Sequence, residues 1–391
     1  MRKIFVTAAC LTLLAVSTRP AYAQNAAGQD GPKTITTAVP FLLVAPDSRS
    51  AGIGEAGVAI ADDANAMHWN ASALAFIDNR MGFSMSYSPW LRALGIPDIN
   101  LMYLSGYLNT GDAGVIGASL RYFSLGQIDF TDGLGQPIGS DKPNEFALDV
   151  AYALKVSEQF SAALTLRYFQ SRLASNGALP GDAKPVNSAA GDLSFMYKND
   201  FSMNGGTGPI PVRFTSGVNI SNIGPKVSYS ASTANRDFIP INLRIGYAFK
   251  FFLDEYNSFT FTNDFNKLLV PSVVIDSNGV STGGGRSDIA LLPGIFGSFS
   301  DAQNGIGEEF SEVNISVGGE YWYRDLFSAR VGFFYEDPLK GNRKFITLGA
   351  GLKYNVFGLN FAYLAPLQQN HPLQNTLRFT LTYDFESVGN Q

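Results

Sequence analysis

Residues 52 to 57 read GIGEAG, which satisfies G-x-G-x-x-G, the glycine spacing that lets a helix N-terminus take a dinucleotide pyrophosphate. That chemistry needs a strand running straight into the glycines and a helix leaving them. Here Pro46-Asp47-Ser48-Arg49-Ser50-Ala51 separates the apolar run FLLVA from the motif, and no strand–helix alternation follows. The nucleotide reading fails. His68 and His371 are the only histidines, with no cysteine beside them and no H-x-x-x-H spacing, so the pattern offers no metal set. His68, next to Trp69, reads as a packing and hydrogen-bonding residue. Asp276-Ser277-Asn278-Gly279 lacks the remaining ligands of a calcium loop and reads as a turn. A serine hydrolase would need a histidine with a carboxylate behind it; neither His68-Trp69-Asn70 nor His371-Pro372-Leu373 supplies one. The residues therefore point to a protein that is not an enzyme and needs no cofactor or metal.

What elements hold these residues follows from the composition. Arg2 and Lys3, an apolar stretch from Ile4 to Val16, and Ala21-Tyr22-Ala23 have the layout of a secretory signal peptide spanning 1–23, with cleavage near Ala23/Gln24. A lipid anchor at Cys10 is the rival reading, with too short an apolar stretch before the cysteine. Cys10 is the sole cysteine, so the exported chain would carry no disulfide. Without Arg2, Lys3 and Arg19, the 28 basic residues fall to 25 against 33 acidic ones, a net charge of −8, the wrong sign for nucleic acid. The chain holds 30 Phe, 17 Tyr and 40 Gly with only 16% charged residues, and beyond the leader no apolar run reaches the ~18 residues of a spanning helix.

In hydrocarbon every backbone N–H and C=O needs an internal partner, so a sheet can cross only as a closed barrel. NTLRFTLTYDFE places Leu377, Phe379, Leu381, Tyr383 and Phe385 on one face and Arg378, Thr380, Thr382 and Asp384 on the other. FSAALTLRY alternates likewise, and IPINLRIGYAFK sets Ile239, Ile241, Leu243, Ile245, Tyr247 and Phe249 on one side. Strands are expected near 81–90, 98–108, 113–125, 145–156, 159–172, 189–199, 212–221, 239–251, 257–265, 311–323, 327–336, 344–354, 358–365 and 375–386. Short turns follow most even-numbered strands, while the segments 126–144, 173–188, 222–238 and 266–310 follow odd-numbered ones. NDFSMNGGTGPIP is a longer exception. Loop lengths segregated this way fit a barrel with periplasmic turns on one rim and extracellular loops on the other. The alternative is a soluble all-β domain.

The fold expected is thus all-β and transmembrane: a fourteen-stranded antiparallel outer-membrane barrel over 81–386, a plug or hatch from 24–80 inside it, and a periplasmic tail at 387–391. The hatch's small residues permit close backbone approach. Arg49, Gly52, Gly54, Glu55, Gly57, Asp62, Asp63, His68, Trp69 and Asn70 are its candidate structural positions, with Arg49, Glu55, Asp62 and Asp63 turned towards the polar wall.

The run from Gly52 through Asp62-Asp63 to Asn70-Ala71-Ser72-Ala73 resembles the hatch of the FadL superfamily of outer-membrane transporters. Ala71 stands where that superfamily has proline, which puts the local turn in question. More closely, APDSRSAGIGEAGVAIADDANAMHWNASALAF, SYSPWLRALGIPDINLMYLSGY, SLRYFSLGQI and PNEFALDVAYALKVSEQFSAALTLRYFQS are similar to the PorV family, the FadL-like component of the Bacteroidetes type IX secretion system. The likeness spans about residues 40 to 172, and more loosely the rest. The resemblance implies a carrier that takes secreted cargo by its C-terminal signal domain from the translocon barrel and delivers it to a sortase-like attachment protein. Outer-membrane lipids would be its other partner. A transporter of hydrophobic small molecules is the alternative; it would need an apolar pocket and a gap in the wall, for which the prolines at 208–211 and 224–225 are candidates. The apolar runs LLVPSVVI and IALLPGIF in 266–310 suit a partner-contact surface made of Leu268, Leu269, Val270, Val273, Val274, Ile275, Leu291, Leu292, Ile295 and Phe296. They could instead fold over the mouth as a lid.

Overall fold

The structure, a computed structural model, describes residues 33–60, 62–92, 95–96, 98–173, 184–205, 208–230, 236–274, 288–368 and 373–385. The expected leader, His371, Ile275, the Asp276–Gly279 turn and the tail lie outside them. Among the described residues the strands are β1 (Met81–Pro89), β2 (Ile99–Asn109), β3 (Val115–Leu125), β4 (Ile128–Thr131), β5 (Pro137–Asp141), β6 (Asn144–Lys155), β7 (Phe160–Arg172) and β8 (Val186–Gly205). There follow β9 (Gly208–Ile223), β10 (Asn242–Phe252), β11 (Asn257–Leu268), β12 (Asn314–Tyr323), β13 (Phe327–Tyr335), β14 (Lys344–Tyr354), β15 (Phe357–Pro366) and β16 (Thr376–Phe385).

All but β4 and β5 form one closed antiparallel barrel of fourteen strands. It closes where β1 pairs with β16, from Met81 opposite Phe385 to Tyr87 opposite Phe379. Closure leaves no free sheet edge, which is what a membrane requires. The alternation is as the sequence implies: in β7, Leu164, Leu166 and Tyr168 face out while Ser161, Thr165 and Arg167 are buried inside. Outward aromatics crowd the short-turn rim, among them Phe160 stacked on Phe195 and Phe357 edge-on to Tyr383.

Three local details differ from the sequence expectation. NDFSMNGGTGPIP is mostly strand, because β8 and β9 continue as a hairpin past the end of β10. Pro209 and Pro211 lie beyond Val212, the last β9 residue paired with β10, so their missing N–H groups leave the ladder intact. The loop 126–144 contains the hairpin β4–β5, too short to register as periodic. Ile239 and Ile241 precede β10 rather than joining its outer face, and both are fully buried at the long-loop end of the bore.

The chain from Lys33 to Arg80 runs down the bore. At the long-loop end the Ala38 N–H donates to the Phe238 carbonyl at 2.9 Å. Mid-barrel, Ser48 N–H donates to Thr380 Oγ1 and Gly54 N–H to Thr347 Oγ1, both at 2.9 Å. Asp264 accepts from the N–H groups of Gly57 and Val58 at 2.7 and 2.9 Å. Near the short-turn end Ser161 donates to the Ser72 carbonyl at 2.8 Å. Side chains on four wall strands, β7, β11, β14 and β16, thus satisfy amides and carbonyls of an irregular segment.

Glycine on the wall lets this segment lie so close. Gly318 and Gly332 are cross-strand partners, and a Cβ on Gly332 would strike the Gly54 amide nitrogen. Gly54 itself has φ +77°, a conformation side-chain-bearing residues resist. We expect Gly332→Val to push the hatch off β13, destabilising the barrel by about 1–3 kcal/mol through overpacking. Planar-bilayer recording should then show ion conductance well above that of the parent protein; unchanged conductance and heat stability would contradict the packing described.

Candidate functional site

The hatch is held by wall charges that each sit on the polar face of a strand. Arg49 forks onto Glu320, with Nε to Oε2 at 2.9 Å and Nη2 to Oε1 at 2.8 Å, and also pairs with Asp62 and, at 3.5 Å, with Asp63. Arg330 Nε shares Glu320 at 2.6 Å. Arg378 donates to Glu55 at 2.9 Å, and Gly52 lies against the backbone of Gly349. The Trp69 indole donates to Asp47 at 2.6 Å. Asn70 donates to the carbonyls of Val58 and Phe195 at 2.9 and 3.1 Å and caps the 3-10 run Ala71–Phe76. Ala71 thus occupies the first helical position, where proline is tolerated but not required, and the turn survives its absence.

His68 is buried, with Nδ1 2.6 Å from Arg121 Nη2. Arginine can only donate, so Nδ1 accepts. With Nδ1 accepting, the ring carries its proton on Nε2 and is held in its neutral form. Arg121 also donates to the carbonyls of Phe41 and Leu42 at 3.0 and 2.7 Å. His68 is therefore an acceptor for a wall arginine.

The wall does carry an irregularity of the kind a lateral opening would need, and it is filled. Pairing of β8 with β9 shifts register between Gly191 and Leu193, and opposite it Asn222 adopts φ +61°. The Asn222 N–H donates to Asp192 at 2.7 Å and its Nδ2 to the Pro240 carbonyl at 2.9 Å. Arg167 holds Asp149 through Nε and Nη2 at 2.7 and 3.0 Å, holds Asp192 through both Nη atoms at 3.1 Å, and also donates to Asn222. Five donors meet five acceptor contacts, so the charge is paired and hydrogen-bonded throughout.

The long-loop mouth is closed by apolar packing. Phe41, Leu101, Phe169, Phe238, Ile239 and Ile241 form one cluster with Leu269 and Val270. Leu269, Val270 and Val273 are thus interior, not the partner-facing surface expected of them; the barrel's apolar mouth is their nearest refuge from water. Leu268 and Val274 are half-buried. Leu291 and Ile295, on the helix Leu291–Gly297, pack against the same cluster. The helix's other side leaves Leu292 61% and Phe296 72% exposed, and Phe299, Ile306 and Phe310 extend that apolar surface.

A chain of buried ion pairs, which the sequence reading did not single out, fastens this cover. Lys267 at the end of β11 reaches Glu309 and Glu312 at 3.0 and 2.6 Å, and Lys340 reaches Glu308 and Glu312 at 2.7 and 2.9 Å. Lys33 joins Glu308 at 3.2 Å. Burial alone would raise Glu308, but the hydrogen bonds from Lys340, the Asn304 N–H and Lys33, together with the Lys340 charge, outweigh it and hold the carboxyl below its ordinary 4.5. Burial alone would lower Lys340, yet its glutamates hold it above 10.5. The glutamate's contribution is present above pH 4.5 and fades as pH falls through its depressed value; the lysine's is present below pH 10.5 and fades as pH rises through its elevated one. A nitroxide on Gly307→Cys, where added bulk meets open space, should be immobile between those limits and mobile beyond either. Lys340→Met should mobilise it at pH 7, and a label equally immobile in that variant would contradict the latch. Arg167→Met should cost about 3–5 kcal/mol by leaving buried carboxylates unpaired, read as a lower temperature of heat-induced mobility change on gels.

The sequence matches the profile of a family described as type IX secretion system protein PorV over residues 26–274. No curated protein matches it. Among solved structures, the Ralstonia pickettii toluene transporter TbuX is 12% identical, with 87% of this chain and 98% of that chain covered and a TM-score of 0.51. A TodX monoaromatic hydrocarbon channel mutant lacking S2 and S3 is also 12% identical, covering 88% and 100% at 0.49, and a Pseudomonas aeruginosa FadL homologue 12%, covering 91% and 100% at 0.45. TbuX supports the barrel fold. With the profile covering well over half its length, the chain belongs to the PorV family of type IX secretion proteins, outer-membrane barrels of FadL-like fold.

Proposed function

We propose that this barrel is a carrier that binds the C-terminal signal domain of secreted proteins at the translocon and brings them to the sortase-like attachment complex. The observation that best supports this reading is the combination at the long-loop mouth of a closed apolar packing with an exposed apolar surface above it. Leu292 and Phe296 on the helix Leu291–Gly297, Phe299 just past it, and Ile306 and Phe310 on the helix Ile306–Ser311 stand in water, the second helix tied down by buried ion pairs. Exposed apolar side chains held on an anchored element are what a protein partner desolvates. The hatch positions Arg49 to Asn70 serve this role by sealing the bore, so that cargo is held by the rim and never enters the barrel. The chain works as a secretion component without chemistry of its own.

The small-molecule transporter reading finds less support. It needs a route through the wall, and the register shift at Asn222 is occupied by Arg167, Asp149 and Asp192. The test is a pull-down of secreted proteins with Leu292→Ser, Phe296→Ser and Phe310→Ser combined. Cargo recovery should fall at least about tenfold, as for loss of a central hydrophobic hot spot, with barrel heat stability retained. Full cargo recovery, together with copurified hydrophobic small molecules, would favour the transporter.

A further inference from the structure

At the short-turn rim a cleft of ≈100 Å³ opens between the hatch and the wall of β8–β11, far from the mouth and independent of the carrier reading. Its floor is apolar: Ile60 and Phe76 of the hatch, with Met196 and Ala248 of the wall. Its rim is basic. Lys198, Arg213 and Lys250 border it, facing the acidic Asp62, in a chain whose net charge is −5.

The cations are unequally neutralised. Arg213 forks onto Asp200 at 2.8 Å through both Nε and Nη2. Arg49, which also borders the cleft, is committed to Glu320 and Asp62. Lys198 and Lys250 form no ion pair among the described residues; their ammonium groups rest over the rings of Phe76 and Phe252 at 5.4 and 5.3 Å. Lys250 is moreover the direct cross-strand partner of Arg213, and both sit on the bore side of their strands. Like charges placed opposite each other repel. Asp62 stands near both and Asp200 pairs with Arg213. Yet four cations line the cleft, Arg49, Lys198, Arg213 and Lys250, against the single lining carboxylate Asp62. An aqueous anion alone would leave the apolar floor unused. The apolar lining is confined to a few side chains between the hatch and the wall, which suits a short aliphatic stem.

We propose that this cleft binds a carboxylate borne on a short aliphatic group, its oxygens held by Lys198 and Lys250 and its stem lying on Phe76 and Met196. Two sources share that chemistry: a free short-chain carboxylate, and the C-terminal carboxylate of a peptide ending in a small apolar residue. Both would enter from the periplasmic side.

The test uses the full-length protein in detergent, with saturation-transfer NMR and titration calorimetry. The probes are butyrate against 1-butanol, and acetyl-Gly-Gly-Val with a free C-terminus against its amide. The acid of at least one pair should bind while its neutral counterpart does not, and Lys198→Met with Lys250→Met should weaken that binding about tenfold or more, as for lost hydrogen bonds to a charged group. Butyrate binding identifies a free carboxylate as a ligand; binding of the peptide acid alone identifies a chain terminus. Heat-modifiable migration on gels checks that the variant barrel is intact, and the single variants provide a milder second series. The proposal is overturned if neither acid binds, if alcohol or amide bind as well as the acids, or if the folded double variant binds undiminished.

Discussion

Asp264 accepts the N–H groups of both Gly57 and Val58, and the hatch depends on arrangements of that kind. A segment without regular ladders cannot pair its own amides, and inside a barrel little water reaches them. Each must therefore meet a wall side chain, which Asp264, Thr347 and Thr380 provide from β11, β14 and β16. The wall can serve only where it is smooth enough to be approached, and the paired glycines Gly318 and Gly332 make it so. Removing the small residues would cost the hydrogen bonds as well as the packing.

The same economy governs charge. Arg167, Glu320 and Lys267 are buried, and an isolated charge there would be expensive. Each is instead shared by several partners drawn from distant parts of the sequence. Arg49 of the hatch meets Glu320 of β12, and Lys33 reaches Glu308 beside the mouth. These pairs specify where the irregular segments lie rather than adding much net stability, since breaking one partner costs far more than the intact pair contributes.

The two ends of the cylinder differ in chemistry. At the long-loop end, apolar packing and alternating lysines and glutamates hold an exposed apolar surface in place. At the short-turn end, Lys198 and Lys250 rest over the rings of Phe76 and Phe252, with Asp62 and Asp200 nearby but in no direct ion pair with them among the described residues. Between them the bore is occupied by hatch backbone, so neither end needs the other to be open.

The sequence by itself determined the barrel. Side-chain direction in a strand has a period of two, so Leu377 to Phe385 announces a lipid face and Arg378 to Asp384 a polar one without knowledge of any neighbour. Loop-length segregation likewise survives in one dimension. The hatch residues were legible as small and polar, and the resemblance of their order located the family. What only the tertiary structure decided were matters of partnership. Arg121, Arg167, Asp264 and Glu320 each looked like one more polar residue on a wet face, because a buried polar contact joins residues far apart in the chain and leaves no local period. Leu269, Val270 and Val273 looked like an exposed patch because hydrophobicity does not say which surface will cover it; the mouth of the closed barrel did.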